Sequence, residues 1–501
     1  MQRCIRFVST FSPFVNTLRG RACLHARFCT GASETTAAAD PRVCIVGAGP
    51  SGFYTAKYLL KEVENLHVDL LDRLPTPYGL VRSGVAPDHQ ATKSVMADFA
   101  QTLSNSRCNF WGNVEVGQDV TVHDLLSAYD AVVLAYGASG DRRLGVEGET
   151  LEGVHSARKF VNWYNGHPDY SSVDFASQLK SSQSCVVIGQ GNVAIDVSRV
   201  ILTKPDDLRS SDICEHALEA LEESKISHVS IIGRRGPAQA AFTIKELREL
   251  TRLDGVRCVI SRDEIEKGSN SASLEEIANS RPLKRKFELL KTVAAGQNQD
   301  RDDGDRALSI GFFLNPTRIL ESETKPGSVG AVECDVTRLE GEAGRQKAVV
   351  TGEKVALPAD LVLTSVGYQS SGIGDVPFDE KRSVVPSSNG RVVGIQGDQV
   401  TGVYVTGWLK RGPTGIIGTN IPDAKETAQS ICEDFRSGII GRASMKSGDI
   451  RTLLQNGKPV VSFEGWKKIE AVEHERGSEL GKPREKIVDW KELLRVAGPA
   501  Q

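Results

Sequence analysis

Short apolar blocks that end at a glycine recur along this chain. Val43-Cys-Ile-Val46 runs into Gly47-Ala-Gly49-Pro-Ser-Gly52, and Cys185-Val-Val-Ile188 runs into Gly189-Gln-Gly191-Asn-Val-Ala194. Tyr129-Asp-Ala-Val-Val-Leu-Ala-Tyr-Gly137 and Asp360-Leu-Val-Leu-Thr-Ser-Val-Gly367 repeat the pattern with one glycine each. Continuous apolar runs of this length predict strands buried on both faces, as in parallel sheets. The pattern predicts a βαβ unit over residues 41–72, strands near 108–116 and 130–136, and another at Gly402-Val-Tyr-Val-Thr406. Leu74 to His89 is too rich in proline and glycine for regular structure. Ser269-Asn-Ser-Ala-Ser273 reads as a loop, Ala294 to Asp305 as a mobile stretch with almost nothing to bury, and Gly477 to Gln501 as a polar tail ending in one amphipathic turn around Trp490.

The two glycine-rich turns each follow a strand and open a helix, the arrangement that lets a pyrophosphate approach a helix N-terminus. Ala194 stands where the third glycine of the second turn is expected, a replacement the fingerprint allows. The two turns differ in the strand that comes after each. The run His67-Val-Asp-Leu-Leu-Asp72 ends in an acid, suited to a ribose 2′-hydroxyl, whereas Val229-Ser-Ile-Ile-Gly233 ends in Arg234-Arg235, suited to a 2′-phosphate. The first site therefore fits FAD or NAD and the second NADPH. Together they predict a flavoprotein that takes hydride from NADPH. The single-glycine runs at Gly137 and Gly367 are where the chain would leave the first fold and return to it. The expected architecture is α/β, with two Rossmann-like dinucleotide-binding domains, the NADPH domain inserted in the FAD domain. Its divisions are 41–142 and 367–470 for FAD, 143–366 for NADPH, and 471–501 for the tail.

Composition narrows this further. The chain has 501 residues, 40% hydrophobic and 25% charged, as in a soluble globular protein with two or three domains. No apolar stretch approaches the length of a membrane span, so any membrane contact is expected to be peripheral. Arg3, Arg6, Arg19, Arg21 and Arg27 precede the first acid, Glu34, as in an organellar transit peptide over residues 1–40. Without that segment the formal charge moves from −3 to −6, which gives no hint of nucleic-acid binding. Ten cysteines include no C-x-x-C pair and no metal-ligand spacing, so no metal site is expected. Cys44 and Cys185 read as small apolar residues of core strands. Lacking a redox disulfide, the chain must pass its electrons outward.

Further motifs fall in a fixed order: Pro77-Tyr-Gly-Leu-Val-Arg82, Gly84-Val-Ala-Pro-Asp-His89, Gly233-Arg-Arg-Gly-Pro237, Phe242-Thr-Ile-Lys-Glu246-Leu-Arg248-Glu249, Gly407-Trp408-Leu-Lys-Arg411-Gly-Pro-Thr-Gly415 and Gly481-Lys-Pro-Arg-Glu-Lys486. With the two turns, they closely resemble the mitochondrial adrenodoxin reductase family, NADPH:ferredoxin oxidoreductases related to glutathione reductase. The match runs over essentially all of residues 41–500.

The resemblance implies FAD contacts at Gly47, Gly49, Ser51, Gly52, Asp72, Leu80, Val116, Trp408, Gly415, Ile416 and Ile417. Gly412 to Gly418 is expected to open a helix toward the flavin. Gly407-Trp408 departs from the Gly-Asp of many two-dinucleotide relatives, so the ribityl or pyrophosphate contact must be made differently; plain core is the alternative for Trp408. NADPH contacts are implied at Gly189, Gln190, Gly191, Asn192, Val193, Arg234 and Arg235, with Glu246 nearby. His89 and Asp196 are the catalytic candidates, as relays of a proton. The alternatives are a satisfied loop histidine and a helix-terminal charge.

The implied partner is a small acidic [2Fe–2S] ferredoxin on a basic surface at Arg248, Arg281 and Arg285. Lys245, Arg248 and Arg252 share a helical face, and Arg281-Pro-Leu-Lys284-Arg285-Lys286 adds a second cluster. A monomer in the mitochondrial matrix is expected, feeding cytochrome P450, haem, iron–sulfur or biotin pathways. The rival readings are a glutamate-synthase-like small subunit, whose N-terminal cysteine motifs are missing, a thioredoxin-reductase-type enzyme, which needs C-x-x-C, and a non-enzymatic FAD-binding redox sensor.

Overall fold

A computed structural model describes residues 40–296, 306–374, 376–394, 396–441, 449–454 and 458–499. The transit-peptide expectation and most of the stretch read as mobile lie outside the described residues. The apolar blocks form two separate sheets. The larger has eight strands in the order Ser387–Ser388, Arg391–Val393, Gln399–Val405, Ala131–Leu134, Arg42–Val46, His67–Asp72, Cys108–Gly112 and Val461–Ser462. Its five central strands run parallel, and the edge pairings are antiparallel. The six-stranded sheet is parallel throughout, in the order Val154–Ser156, Leu361–Thr364, Ser184–Ile188, His228–Ile232, Arg306–Gly311 and Val256–Ile260. All strands of this second sheet come from between two contributions to the first, which is the nested α/β order expected.

Gly140–Asp141 pairs antiparallel with Tyr368–Gln369 where the chain passes from one sheet to the other and back. Beside the second sheet lies an antiparallel three-stranded layer, Leu314–Glu321, Val329–Glu340 and Lys347–Pro358. Val43, Cys44 and Ile45 are fully buried, as are Val187, Val229 and Ile231, because both faces of these parallel strands are covered. In the second sheet helices cover one face and the antiparallel layer the other. The helix Pro50–Glu62 packs on Asn420–Ser437, and Phe53 stacks on Phe99 at 4.7 Å. Cys44 and Cys185 are free thiols inside these cores.

Three local expectations need correcting. Ser269–Ser273 is not a loop. Asn270 accepts from the Ser273 N–H and so caps a helix over Ser271–Ala278, the preference of asparagine for that position outweighing the polar composition. The Leu74–His89 segment contains one helical turn at Leu80–Ser83. The tail is not a polar appendage. The helices Phe463–Glu479 and Trp490–Ala497 pack together, with Trp466, Ile469, Ile487 and Leu493 in the first core.

Charged residues of that tail are buried because each meets an opposite charge. Glu473, 0% exposed, receives Arg82 through both guanidinium nitrogens at 2.5 and 2.8 Å, Arg484 at 3.3 Å and the Ile487 N–H at 3.0 Å. Asp212 receives Lys93 at 2.6 and 2.8 Å and Lys486 at 3.0 Å, all three buried. Burial would raise the Glu473 carboxyl, but Arg82 and Arg484 outweigh it and hold it below the usual carboxylate range. Removing one member of such a buried set costs about 3–5 kcal/mol, so Glu473→Gln should lower unfolding stability by that order near neutral pH. The wild-type advantage should be complete above the ordinary carboxylate range and shrink as pH falls through the lowered Glu473 value. Urea titrations of both proteins over a pH series measure it.

Candidate functional site

The three glycines of the first turn serve three purposes. Gly47 has φ +113°, and a Cβ there would lie 2.5 Å from the Ala135 carbonyl oxygen, on the neighbouring strand. A Cβ at Gly52 would lie 2.1 Å from the Gly47 oxygen, so this glycine lets the helix press onto the turn. At Gly49 a Cβ would meet no protein atom within 4 Å. The helix Pro50–Glu62 has no side-chain cap, and its first turn presents N–H groups to that open space. The second turn repeats the logic: Gly189 at φ +131° would clash with the Ser365 carbonyl at 2.1 Å, Gly191 faces nothing within 4 Å, and Asn192–Leu202 is likewise uncapped by a side chain. Two open glycines at two uncapped helix N-termini form cradles that fit two pyrophosphates.

Around the first cradle the chain brings together residues far apart in sequence. Asp72 accepts from the Ala48 and Leu74 N–H groups, both at 2.9 Å, tying the turn to the end of its neighbouring strand. Burial raises its carboxyl, although these two donors oppose the shift. Val114 N–H binds the Asp72 carbonyl, which places Val116 just beyond it. A Cβ at Gly79, the residue before Leu80, would lie 3.1 Å from Gly49 Cα, and one at Gly407 would lie 2.6 Å from Ser51. Gly407 therefore packs on the first turn, and Trp408 opens the short helix Trp408–Arg411 there, 5.2 Å from the Tyr368 ring. Gly415 has φ +85°, and Ile416 is 65% exposed. The helix expected at Gly412–Gly418 begins later, at Asn420, after a 3₁₀ turn over Ile417–Thr419.

At the second cradle Gln190 and Asn192 are engaged by the protein. Gln190 Nε2 donates to the Gly311 carbonyl at 2.8 Å, and Asn192 Oδ1 accepts from the Thr243 N–H at 2.9 Å. Their side chains set the turn's shape, which leaves its backbone to face a ligand beside Val193. Arg234 and Arg235 are exposed, and neither joins an ion pair among the described residues.

Between the folds lies a cluster that joins the loop at Asp88-His89 to the helices Asn192–Leu202 and Ile244–Leu250. His89 Nε2 is 2.9 Å from Glu249 and 3.6 Å from Glu246. Arg199, with its side chain 3% exposed, binds Asp88 at 2.7 and 2.9 Å and Asp196 at 2.9 Å, with Glu246 at 3.6 Å. Donor atoms of His89, Asp196 and Glu246 lie within 4.8 Å of one another, a spacing that suits a cation, and Arg199 supplies positive charge there. Burial pushes the Asp196 carboxyl up to about 6 against the pull of Arg199, and Glu246 adds to the rise. Sequence reasoning found His89, Asp196 and Glu246 but missed Asp88, Arg199 and Glu249. Asp88 and Glu249 belong to motifs that carry the family resemblance; nothing local marked Arg199.

Arg248 lies on the helix Ile244–Leu250 and Arg281, Lys284 and Arg285 on Arg281–Ala294, two helices that pack together, and all four side chains are exposed. Lys286 leaves this cluster: it turns inward to the Ala240 carbonyl, 5.4 Å over the Phe242 ring, and burial lowers it to about 8. Arg252 falls beyond the end of its helix.

Two nested dinucleotide folds with an acid after one turn and arginines after the other define a pyridine-nucleotide oxidoreductase. The family model "Pyridine nucleotide-disulphide oxidoreductase" matches residues 41–251. The chain is 47% identical to the Arabidopsis thaliana "NADPH:adrenodoxin oxidoreductase, mitochondrial" over 480 residues, covering 94% of this chain and 99% of that protein. It is 44% identical to the Homo sapiens protein of the same name, with 91% and 92% covered. It also superimposes on Mycobacterium tuberculosis FprA in complex with NADPH, with TM-score 0.82, 40% identity, and 91% and 99% covered. The chain belongs to the NADPH:adrenodoxin oxidoreductase family.

The geometry makes two outcomes measurable. Gly49→Ala should leave the flavin-free protein within about 0.5 kcal/mol of wild-type stability while flavin bound per chain falls, whereas Gly47→Ala should lower both; denaturant titration and the flavin absorbance ratio separate them. The pH profile of kcat/KM for NADPH should carry an inflection near the Asp196 value of about 6, and the Asp196→Asn profile should lack it.

Proposed function

We infer that this protein is an FAD enzyme that takes hydride from NADPH and passes electrons singly to a [2Fe–2S] ferredoxin. The observation that carries the reading is the asymmetry between Asp72, which ends its strand, and Arg234-Arg235, which follow the corresponding strand of the second fold. Bound FAD supplies the chemistry of accepting an electron pair and releasing it one electron at a time. The chain's own residues bind and align. Residues 41–142 and 367–470 form the FAD domain, closed by the tail 471–501, and residues 143–366 form the NADPH domain.

Gly47, Gly49, Ser51 and Gly52 cradle the FAD pyrophosphate, Asp72 takes the adenosine ribose, and Leu80, Val116, Trp408, Gly415, Ile416 and Ile417 line the rest. On the other side Gly189, Gln190, Gly191, Asn192 and Val193 form the NADPH turn. Arg234 and Arg235 hold the 2′-phosphate, and Glu246 borders the site. Hydride transfer needs no side-chain base, so His89 and Asp196 act on protons alone: they hold and relay one where the two folds meet, under the charge of Arg199. Arg248, Arg281 and Arg285 form the ferredoxin surface; their exposure on two packed helices supports this.

The relatives named mitochondrial, and the arginine-rich first 40 residues, support a matrix location. No helix among the described residues is long and apolar enough to cross a membrane, and peripheral contact is the most that is assigned. The enzyme acts as a monomer with transient docking.

The deciding experiment follows NADPH-driven cytochrome c reduction by the purified flavoprotein with and without a [2Fe–2S] ferredoxin. Reduction that depends on ferredoxin is expected; a rate indifferent to it sinks the reading. Charge-assisted hydrogen bonds are worth about 1.5–3 kcal/mol each, so Arg235→Ala should raise KM for NADPH more than tenfold and leave that for NADH nearly unchanged. Ferredoxin reduction should fall steeply with ionic strength, and Arg285→Glu should flatten that dependence while leaving NADPH-driven ferricyanide reduction intact.

A further inference from the structure

The diarginine turn is held at each backbone carbonyl from Gly233 to Gly236. Gly233 O accepts from Leu314 N–H at 3.0 Å, Arg234 O from the Thr337 hydroxyl at 2.8 Å, Arg235 O from Phe313 N–H at 3.2 Å and Gly236 O from Gln239 N–H at 3.1 Å. Of these partners, Phe313 lies on the turn between the strands Arg306–Gly311 and Leu314–Glu321, and Leu314 begins the second of them. There Phe313 is buried and takes a left-handed φ of +59°, rare for a residue with a bulky side chain. Such a conformation persists only where the surroundings over-determine it. Here they do: Glu264 accepts from Phe312 N–H at 3.0 Å, and Thr337 N–H donates to the Phe313 carbonyl at 2.8 Å.

Thr337 thus contributes both a backbone and a side-chain bond, and it comes from the antiparallel layer. Along its strand the buried positions Val332 and Cys334 are followed by Thr337, 4% exposed, and not by Val336. The change of phase coincides with a register shift against the Lys347–Pro358 strand between Asp335 and Thr337. Irregularities of this kind re-aim a side chain. A hydroxyl is thereby delivered to the one carbonyl between the two arginines. Adjacent residues of an extended strand point to opposite faces, so two neighbouring guanidiniums serve one phosphate only if the bend between them is fixed.

We infer that Thr337 is a positioning residue for nucleotide choice, its hydroxyl fixing the Arg234 peptide so that Arg234 and Arg235 converge on a 2′-phosphorylated ribose. This rests on the reading that those arginines hold the 2′-phosphate. It gives the antiparallel layer a part in cofactor specificity.

The test titrates the holoprotein calorimetrically with adenosine 2′,5′-bisphosphate and with adenosine 5′-monophosphate. Thr337→Val keeps the shape and deletes the O–H; it should weaken the bisphosphate roughly threefold to tenfold, the range of one hydrogen bond, and leave the monophosphate within about twofold. KM for NADPH should rise in step with kcat unchanged, and Thr337→Ser should restore both. Equal weakening of the two ligands, or an unchanged bisphosphate affinity, overturns the inference. If Thr337→Val does not accumulate as folded holoprotein, Thr337→Ala makes the same deletion with less crowding and is judged by the same outcomes. Arg235→Ala is titrated in parallel. If it fails to separate the two ligands, the 2′-phosphate reading falls and this inference with it; if it separates them and Thr337→Val does not, this inference alone falls.

Discussion

One buried carboxylate, Asp212, sets the relation between the two nucleotide folds. It lies between the ammonium groups of Lys93 and Lys486, so a residue from the first fold and one from the C-terminal segment converge on a residue of the second. Asn165 Oδ1 accepts from Lys93 at 3.2 Å, and Asn165 Nδ2 donates to the Val85 carbonyl at 3.1 Å. Two ammonium groups share one carboxylate in a buried site, and burial together with Lys486 lowers Lys93 to about 7. Leaving one member of such a set unpaired is strongly destabilising. Glu473 repeats the pattern, holding Arg82 on the short helix Leu80–Ser83 that follows Gly79, the residue packed against Gly49. The two knots tie the C-terminal segment to both folds, and alignment is the main thing a protein contributes to hydride transfer between cofactors.

Those knots also mark the limit of what the chain discloses when read in order. The glycine turns were legible because a positive φ or a close approach of backbone to backbone is a local demand with few solutions. Gly47, Gly52 and Gly189 meet that demand against protein, Gly49 and Gly191 against open space, and all five stand in one recognisable spacing. The nested order was legible for a similar reason, since Gly137 and Gly367 each close an apolar strand. Lys93 with Asp212 and Arg82 with Glu473 were not, because the partners are 119 and 391 residues apart. Nothing near Lys482, Arg484 or Lys486 says they are buried, so the tail read as polar. The helix at Ser271–Ala278 was missed for a smaller reason: one asparagine side chain capping one N–H outweighed a run of polar residues.

The cluster between the folds shows how such long-range packing alters chemistry. Asp196 is the fifth residue of a helix that begins at Asn192, too far in to act as a helix-terminal charge. Its raised carboxyl comes from burial and from Glu246, which a different helix supplies, and Arg199 limits the rise while anchoring Asp88. His89, next to Asp88, reaches Glu249 on that same second helix. The loop that carries His89 is thus held by two separate contacts to the NADPH fold. His89 is therefore a satisfied loop histidine in this structure. The hydrogen bond that satisfies it is also what places it beside Asp196 and Glu246.

The acid and the arginines that distinguish the two turns differ in how much of their work is their own. Asp72 spends one oxygen on Ala48 N–H and the other on Leu74 N–H, so it is positioned in part by the glycine turn itself. That acid holds itself in place. Arg234 and Arg235 have no such internal anchor; their side chains are exposed and their backbone is fixed by Thr337 and Phe313 from another layer. The first motif could be read locally because the glycine turn and the residues just after Asp72 supply both of its donors. The second motif shows only the two arginines, and what holds their backbone became visible only when Thr337, 103 positions from Arg234, and Phe313 came to rest one on each of their carbonyls.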